Sequence, residues 1–150
     1  MNHWLIMFRP ETYAAAQEHG LMGVLNAHHQ RFAELRPGDR FIAYVSRDRV
    51  LDSHGEVLGE PYQEAAEIPP GWVRYTERVK VRFEGTGQRR DGRLALWGLS
   101  MVASGIKTEP TNLLLLKGGF LKIPVDDYNW LRRVLDAGDD VVRERVAPGA

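Results

Sequence analysis

The chain has 150 residues and a mass of 17.0 kDa, which fits one compact domain. An apolar share of 43%, a charged share of 27% and the lack of cysteine exclude a disordered chain, disulfides and thiolate chemistry. Twenty basic and twenty acidic side chains cancel, which argues against a non-specific nucleic-acid coat, although residues 61–125 carry ten basic and six acidic groups. No apolar run approaches the roughly 18 residues of a membrane helix and no signal peptide is evident, so we expect a cytoplasmic protein.

The N-terminal third of the chain predicts two strands and two helices. Residues 3–8 are an apolar, aromatic run typical of a strand, and Pro10 then opens a helix that ends at Gly20. A second helix is predicted for residues 26–35. The sequence Arg-Pro-Gly-Asp at 36–39 predicts a turn, and the apolar residues that follow it, 41–45, predict a buried strand.

The remainder of the chain continues with apolar segments typical of strands and ends in an amphipathic helix. Residues 72–84 alternate apolar and cationic side chains over most of their length, which predicts one long half-buried strand with a cationic outer face. The other segments are a strand within 50–60, bent at His54-Gly55, a polar loop at 85–92, an ambiguous apolar stretch at 94–102, strands at 113–116 and 120–123, and a helix at 125–137. We expect residues 1–142 to form a single domain and residues 143–150 to be a flexible polar tail.

These elements together predict the fold class. Five to six strands, helices that cluster early and late, and no β-α-β alternation indicate an α+β fold with a closed or partly closed β-barrel and flanking short helices. A barrel also hides the strand edges that a chain with many short strands must otherwise protect.

Motifs for metal, phosphate-loop or acyl-transfer chemistry are missing from the sequence. His28 and His29 are adjacent, and adjacent helical residues point about 100° apart, so the pair does not chelate one ion. The glycines at 85–87 and 118–119 lack the lysine and hydroxyl residue of a phosphate loop, and there is no Gly-x-Ser-x-Gly elbow. We therefore predict no metal, no cofactor and no enzymatic activity.

Cations on the predicted long strand are the first feature that indicates a partner. Arg74, Arg78, Lys80 and Arg82 fall on its outer face. Cations two residues apart on a strand lie about 7 Å from one another, which is comparable to the spacing of phosphates along an extended nucleic-acid strand. The same pattern is also typical of the solvated face of an amphipathic strand, and both interpretations remain open at this point.

Aromatic residues near polar groups are the second feature. Tryptophan is costly to bury unless its N–H finds a partner, so Trp4, Trp72 and Trp97, together with Tyr44, favour an aromatic pocket in a small barrel. Core packing is the competing explanation for each of these rings taken singly.

Several segments resemble the EVE domain family in order and spacing. Residues 22–46 carry the main likeness: Gly-Val, a polar helix, Pro-Gly-Asp, and an apolar strand that ends in Tyr-x-Ser. The other matching segments are 3–5, 55–62, 78–83 and 120–128, so that the likeness covers most of residues 3–137. The resemblance implies a PUA-like β-barrel, related to YTH and ASCH domains, which bind nucleic acid and in several branches hold a modified base in an aromatic pocket.

The resemblance also implies which residues line that pocket. Leu21 and Leu25 stand where one branch of the family has a tryptophan and an arginine, so Trp97 or Trp72 is expected to supply the replacing ring. The implied base pocket consists of Trp4, Gly23, Val24, Asn26, His28, Tyr44, Ser46 and Trp97. Among these, the aromatic rings stack on the base, and the polar side chains bind the base edge or a phosphate.

The sequence thus favours a non-catalytic module that binds DNA or RNA and reads a modified base, for example a methylated one. In such a module the free-energy cost of unstacking a base is offset by stacking and hydrogen bonding in the pocket. A domain that binds a small molecule or nucleotide, with no polymer partner, is the alternative. An enzyme that acts on RNA is a third reading, but no acid–base pair with suitable spacing supports it.

Overall fold

One curled β-sheet forms the centre of the structure, a computed structural model that describes residues 1–85, 87–103 and 118–146. Its strands are β1 (His3–Phe8), β2 (Leu21–Val24), β3 (Arg40–Val45), β4 (Val50–Val57), β5 (Tyr62–Gln63), β6 (Glu77–Glu84), β7 (Arg90–Asp91) and β8 (Phe120–Ile123). Six strands follow one another in the order β2-β6-β4-β3-β1-β8, and the two short ones are added at β6 and β4. β1 and β3 run parallel, which brings their C-terminal ends to the same edge of the sheet.

Short helices flank this sheet. Within the described residues they are α1 (Pro10–His19), α2 (His29–Phe32), α3 (Gly92–Leu96), α4 (Ser100–Ala103), α5 (Val125–Ala137) and α6 (Asp139–Val142), with 3-10 turns at Asn26–His28 and Trp72–Arg74. The sheet is an open, curled half-barrel whose path ends at β2 and at β8. This confirms the predicted α+β fold with a partly closed barrel and flanking short helices.

Both faces of β1 and β3 are largely buried, and this explains why their sequences are mainly apolar. Side chains alternate along β1 and β3, so Leu5 and Ile42 belong to the core beneath α5, together with Leu131. Ile6 and Ala43 belong to the second core, inside the half-barrel. The sheet lies between the two cores, so the register of each strand decides which core its side chains reach.

Helix α1 covers one end of the half-barrel and has the ends that the sequence predicts. Pro10 occupies its first turn, and Gly20 ends it with a φ of 63° while its N–H donates to the Ala16 carbonyl. The Tyr13 hydroxyl donates to Asp52 Oδ2 at 2.5 Å. Burial, together with this hydrogen bond, raises the pKa of Tyr13. Helix α1 is therefore fixed to β4 by a buried polar contact.

Gly55 in β4 permits the close approach of two neighbours, as expected. A Cβ at this position would lie 2.3 Å from the Arg82 carbonyl and 2.4 Å from the Phe41 ring. The bulge in β4 falls elsewhere, at Asp52, where the register with β3 shifts by one residue.

The long strand predicted at 72–84 is shorter than expected. It begins at Glu77, and the residues before it form a 3-10 turn that follows Gly71, which has a φ of 84°. Val73, predicted to face the core, is 46% exposed. The alternating pattern in the sequence therefore covers a turn as well as a strand. The pattern breaks at Glu77, which is where the strand begins.

Other expectations are confirmed or corrected by the described residues. The strand at 120–123 and the helix at 125–137 are confirmed. The helix predicted at 26–35 is reduced to a 3-10 turn and one turn of α-helix, and the ambiguous stretch at 94–102 forms helix. The strand predicted at 113–116 lies outside the described residues.

The start of the predicted flexible tail packs against the fold. Arg145 Nη1 lies 2.5 Å from Asp127 Oδ1, and Val146 is buried in the core beneath α5. Residues 143–146 thus pack against the fold, because Arg145 pairs with the buried carboxylate of Asp127 and the Val146 side chain is part of the core. No helix in the described ranges is both long and apolar enough to cross a membrane.

Candidate functional site

A cleft lies in the opening of the half-barrel, between β2 and the residues that precede β8. Its outer chamber holds about 280 Å³ and continues into an inner chamber of about 70 Å³. Five residues line both chambers: Met7, Thr12, Gly23, Val24 and Gly118. The outer chamber is completed by Arg9, Leu25, His28, Tyr75 and Gly119, and the inner one by apolar side chains that include Trp72. The combined space is at the low end of the ~300–1,000 Å³ typical of small-ligand sites.

Two aromatic rings form a corner of the cleft. Trp72 and Tyr75 have ring centroids 5.8 Å apart and planes inclined at 77°. Gly23 lies against both of them, since a Cβ there would be 2.8 Å from Trp72 Cζ3 and 3.2 Å from Tyr75 Cβ. Tyr75 is half-buried and borders the outer chamber, where its ring is available to a flat ligand, whereas Trp72 is 3% exposed and closes the inner chamber.

Arg78 holds the segment that carries this aromatic corner. Its side chain is fully buried, and its guanidinium donates to the carbonyls of Tyr75, Ile68, Ala66 and Trp72 at 2.5–3.0 Å. The guanidinium carbon also lies 5.8 Å from the centre of the Trp72 ring. One side chain therefore binds four backbone carbonyls of residues 66–75, and of these the Trp72 carbonyl also accepts a hydrogen bond from the Tyr75 N–H.

Glu77, the first residue of β6, joins the elements beside the cleft. Its buried Oε1 accepts hydrogen bonds from Asn26 Nδ2 at 2.8 Å and Gln63 Nε2 at 2.9 Å, and His29 Nδ1 lies 3.1 Å away. Burial raises the pKa of this carboxyl, but the hydrogen bonds from Gln63, Asn26 and His29 outweigh burial and lower it. Glu77 therefore remains a carboxylate and keeps the 3-10 turn at Asn26–His28 attached to the sheet.

His28 forms the opposite wall of the outer chamber. Gly118 lies directly beneath its ring, because a Cβ at that position would be 2.8 Å from His28 Nδ1. Gly118 also has a φ of 65°, which favours glycine. The half-buried imidazole borders the chamber together with Arg9, Thr12 and Tyr75, so it is one of several side chains there that can hydrogen-bond a ligand.

Three of the predicted pocket residues come together in the cleft, namely Gly23, Val24 and His28. Asn26 does not line it, since its amide is directed to Glu77. Ser46 follows the end of β3, where its N–H donates to the Phe8 carbonyl, and it also lies outside the lining.

The predicted aromatic residues other than Trp72 lie elsewhere, which corrects the sequence interpretation. Trp4 is buried towards the far end of β1, where its Nε1 donates to Asp39 Oδ2 at 3.0 Å. Tyr44 is buried in the core beneath α5, on the other face of the sheet. Trp97 borders a separate depression beside Arg145. Of the two rings proposed to complete the pocket, Trp72 is the one in the cleft.

The predicted phosphate-binding residues are also separated. Arg78 is buried and bound to carbonyls, so it does not contact a polymer. Arg82 is exposed but pairs with Glu84 at 3.0 Å and Glu56 at 3.4 Å. Lys80 is exposed on β6, and Arg74 is exposed in the turn between the two aromatic residues of the cleft.

Several cleft residues were not singled out from the sequence as pocket residues, notably Arg9, Thr12 and Tyr75. A Trp-x-x-Tyr spacing before a strand was the available signal for the aromatic corner. In the ranges that the structure describes, no group of three or more histidine, aspartate or glutamate residues is placed to hold a metal ion.

No protein-family model matches the chain. Among curated proteins, a UPF0310 protein of Pyrococcus abyssi is similar to it, with 29% identity over 94 residues. The match covers 55% of this chain and 66% of the relative, so the chain spans just under two thirds of the length of that relative.

Solved structures share the fold over most of the chain. A hypothetical protein from Leishmania major superposes with a TM-score of 0.66, covers 91% of this chain and 95% of its own, and is 13% identical. The YTH domain of Pho92, solved in complex with m6A, superposes with a TM-score of 0.64, covers 92% and 87%, and is 10% identical. At such identities the likeness shows the fold alone, which this chain shares with that YTH domain.

Proposed function

We propose that this protein is a non-catalytic nucleic-acid-binding module of the EVE type, and that it holds one modified base in the cleft. The observation that supports the proposal best is the aromatic corner of Trp72 and Tyr75 in the opening of the half-barrel. An unstacked base in the outer chamber regains stacking on the Tyr75 ring, while the buried Trp72 ring closes the inner chamber. His28, at the opposite wall, supplies a hydrogen bond to the base edge.

The fold supports a base as the ligand. The Pho92 YTH domain, which has the same fold, was solved with m6A bound. In this chain the outer chamber has the polar side chains Arg9, Thr12, His28 and Tyr75, and the Thr12 hydroxyl donates to the Arg9 carbonyl rather than to His28. That arrangement fits binding better than proton transfer, because a nucleophile needs a base within hydrogen-bond reach.

Titration with free nucleosides tests the cleft without a polymer. We expect N6-methyladenosine to bind more tightly than adenosine by up to about fourfold, because one buried methyl is worth about 0.8 kcal/mol. Tryptophan fluorescence reports the binding. Tyr75→Ala is expected to weaken it at least tenfold, with Tyr62→Ala, a half-buried tyrosine beside α2, as the matched control.

Comparison of these affinities with the affinity for a single-stranded oligonucleotide separates the alternatives. If the oligonucleotide binds no more tightly than the nucleoside, the cleft is a site for a small molecule or nucleotide. Failure of every nucleoside, modified or not, to bind would refute the proposed base site.

A further inference from the structure

Three arginines at one edge of the sheet have an unusual backbone conformation. Arg47, Arg49 and Arg89 have φ values of 67°, 56° and 50°, and they are the described non-glycine residues with positive φ. Glycine, asparagine and aspartate are the residues that tolerate this conformation best. Backbone preference therefore does not explain why arginine occupies all three positions, and we examined whether the side chains have a functional role.

The turn that carries Arg47 and Arg49 begins next to a residue of the cleft. Phe8 pairs with Val45 in the parallel ladder of β1 and β3, and the Ser46 N–H donates to the Phe8 carbonyl at 2.8 Å. The turn 46–49 therefore starts beside Arg9, which lines the outer chamber of the cleft. Arg9, Arg47 and Arg49 form what we call the arginine rim.

Contacts between the loops fix the turn of the rim. Arg89 Nη1 lies 3.5 Å from Asp48 Oδ2, so the loop before β7 is bound to the turn 46–49. The Arg49 carbonyl accepts a hydrogen bond from the Gly92 N–H at 3.0 Å. The backbone is thus held from both sides, and the arginine side chains at 47 and 49 are left exposed.

The turn of the rim carries one acidic residue, Asp48, and its carboxylate pairs with Arg89. Within the described residues, no carboxylate lies within 4.0 Å of the guanidinium groups of Arg9, Arg47 or Arg49, whereas Arg82, Arg133 and many other exposed arginines are paired with acidic residues. Exposed unpaired arginines suit phosphate oxygens, which they bind through two parallel hydrogen bonds. Positive charge beside a pocket for one base is what a single strand requires for its neighbouring phosphates.

We propose that the arginine rim binds the phosphate backbone of a single-stranded nucleic acid whose base occupies the cleft. This inference rests on the proposed function, and it assigns the strand a path from the cleft across Arg9 to the turn 46–49. The path replaces the outer face of β6, where Arg78 is buried and Arg82 is paired.

The test uses the double variant Arg47→Gly/Arg49→Gly. Glycine accepts positive φ without strain, so we expect the melting temperature to stay the same or to rise. Affinity for a single-stranded RNA of about twelve nucleotides is expected to fall roughly tenfold, and the slope of log K against log salt to decrease by about 1 to 1.5. Arg133→Ala/Arg143→Ala, the control, removes two exposed arginines from α5 and the residue after α6 and gives the same change in net charge.

Nucleoside titration of the same variants separates the two proposals. We expect nucleoside affinity to be unchanged in the glycine double variant, because the cleft itself is intact. An RNA affinity and salt slope equal to those of the control variant would overturn the rim, as would a wild-type protein that does not bind the RNA. Loss of nucleoside binding in the wild type, with RNA binding still dependent on the rim, would overturn the cleft and keep the rim.

Discussion

Gly23 determines the shape of the cleft, because it is the residue on which the aromatic corner rests. Gly23→Ala would place a methyl 2.8 Å from Trp72 Cζ3, closer than carbon atoms pack. We expect a loss of about 1–3 kcal/mol in the free energy of unfolding, since the ring must move. Nucleoside affinity is expected to fall at least tenfold, as measured by titration at a temperature where the variant is folded.

Gly59→Ala is the matched control for this substitution. A Cβ at Gly59 meets nothing within 4 Å, and its φ does not lie in the left-handed region. Both stability and binding should therefore stay close to those of the wild type. Equal behaviour of the two alanine variants would mean that Trp72 is not held against Gly23.

The predicted pocket residues show which part of the site could be predicted from the sequence. The family resemblance implied Gly23, Val24, Asn26 and His28 as pocket residues; three of them line the cleft, whereas the Asn26 amide is bonded to Glu77. Trp4 and Tyr44 lie on strands that pair in parallel, and they point to opposite faces of the sheet because Trp4 is opposite Phe41. That register depends on long-range pairing, which a single sequence does not specify.

At the scale of elements, Arg78 connects β6 to the segment that carries the aromatic corner. Arg78→Lys replaces a planar group with five donors by an ammonium with three, and the shorter reach leaves some of the four carbonyls unsatisfied. Each buried unsatisfied acceptor costs about 1–3 kcal/mol, so we expect a loss of about 2–4 kcal/mol in the free energy of unfolding. Urea denaturation measures the loss, and nucleoside titration measures the accompanying fall in affinity.

Arg82→Lys provides the comparison within the same strand. Arg82 is exposed and pairs with glutamates at the surface, so its replacement should change stability by less than about 1 kcal/mol. If Arg78→Lys were as stable and bound nucleoside as tightly as Arg82→Lys, the guanidinium would not be organising the turn.

The outcome for residues 72–84 explains why the element was predicted too long. The sequence alternates cations with apolar residues, and in a half-buried strand the cations face solvent. Arg78 is directed inward instead, because the preceding loop presents four carbonyls that need donors. A hydropathy pattern shows that a residue is charged, but it does not predict which backbone carbonyls lie within hydrogen-bond distance of that residue.

For the whole molecule, the fold class followed from the number and order of strands, whereas the position of the cleft did not. In the described part of the chain the sheet curls but stays open between β2 and β8, and the cleft lies at that opening. Curvature arises from twist, from the bulge at Asp52 and from the close approach at Gly55, each of which requires the paired strands to be known. The shape of the half-barrel therefore depends on contacts between residues that are distant in sequence.

Glu77 supplies such contacts, and its protonation is expected to loosen the half-barrel in acid. Its pKa is lowered in the folded state, so its contribution is complete above the ordinary glutamate pKa of about 4.3 and is lost as pH falls through the folded value. Glu77→Gln should therefore cost about 1–3 kcal/mol at neutral pH and progressively less below about pH 4. Urea midpoints between neutral and acid pH measure this difference, with Glu60→Gln, an exposed glutamate, as the flat control. A difference that does not change with pH would mean that the charge of Glu77 has no part in holding the 3-10 turn, β5 and α2 together.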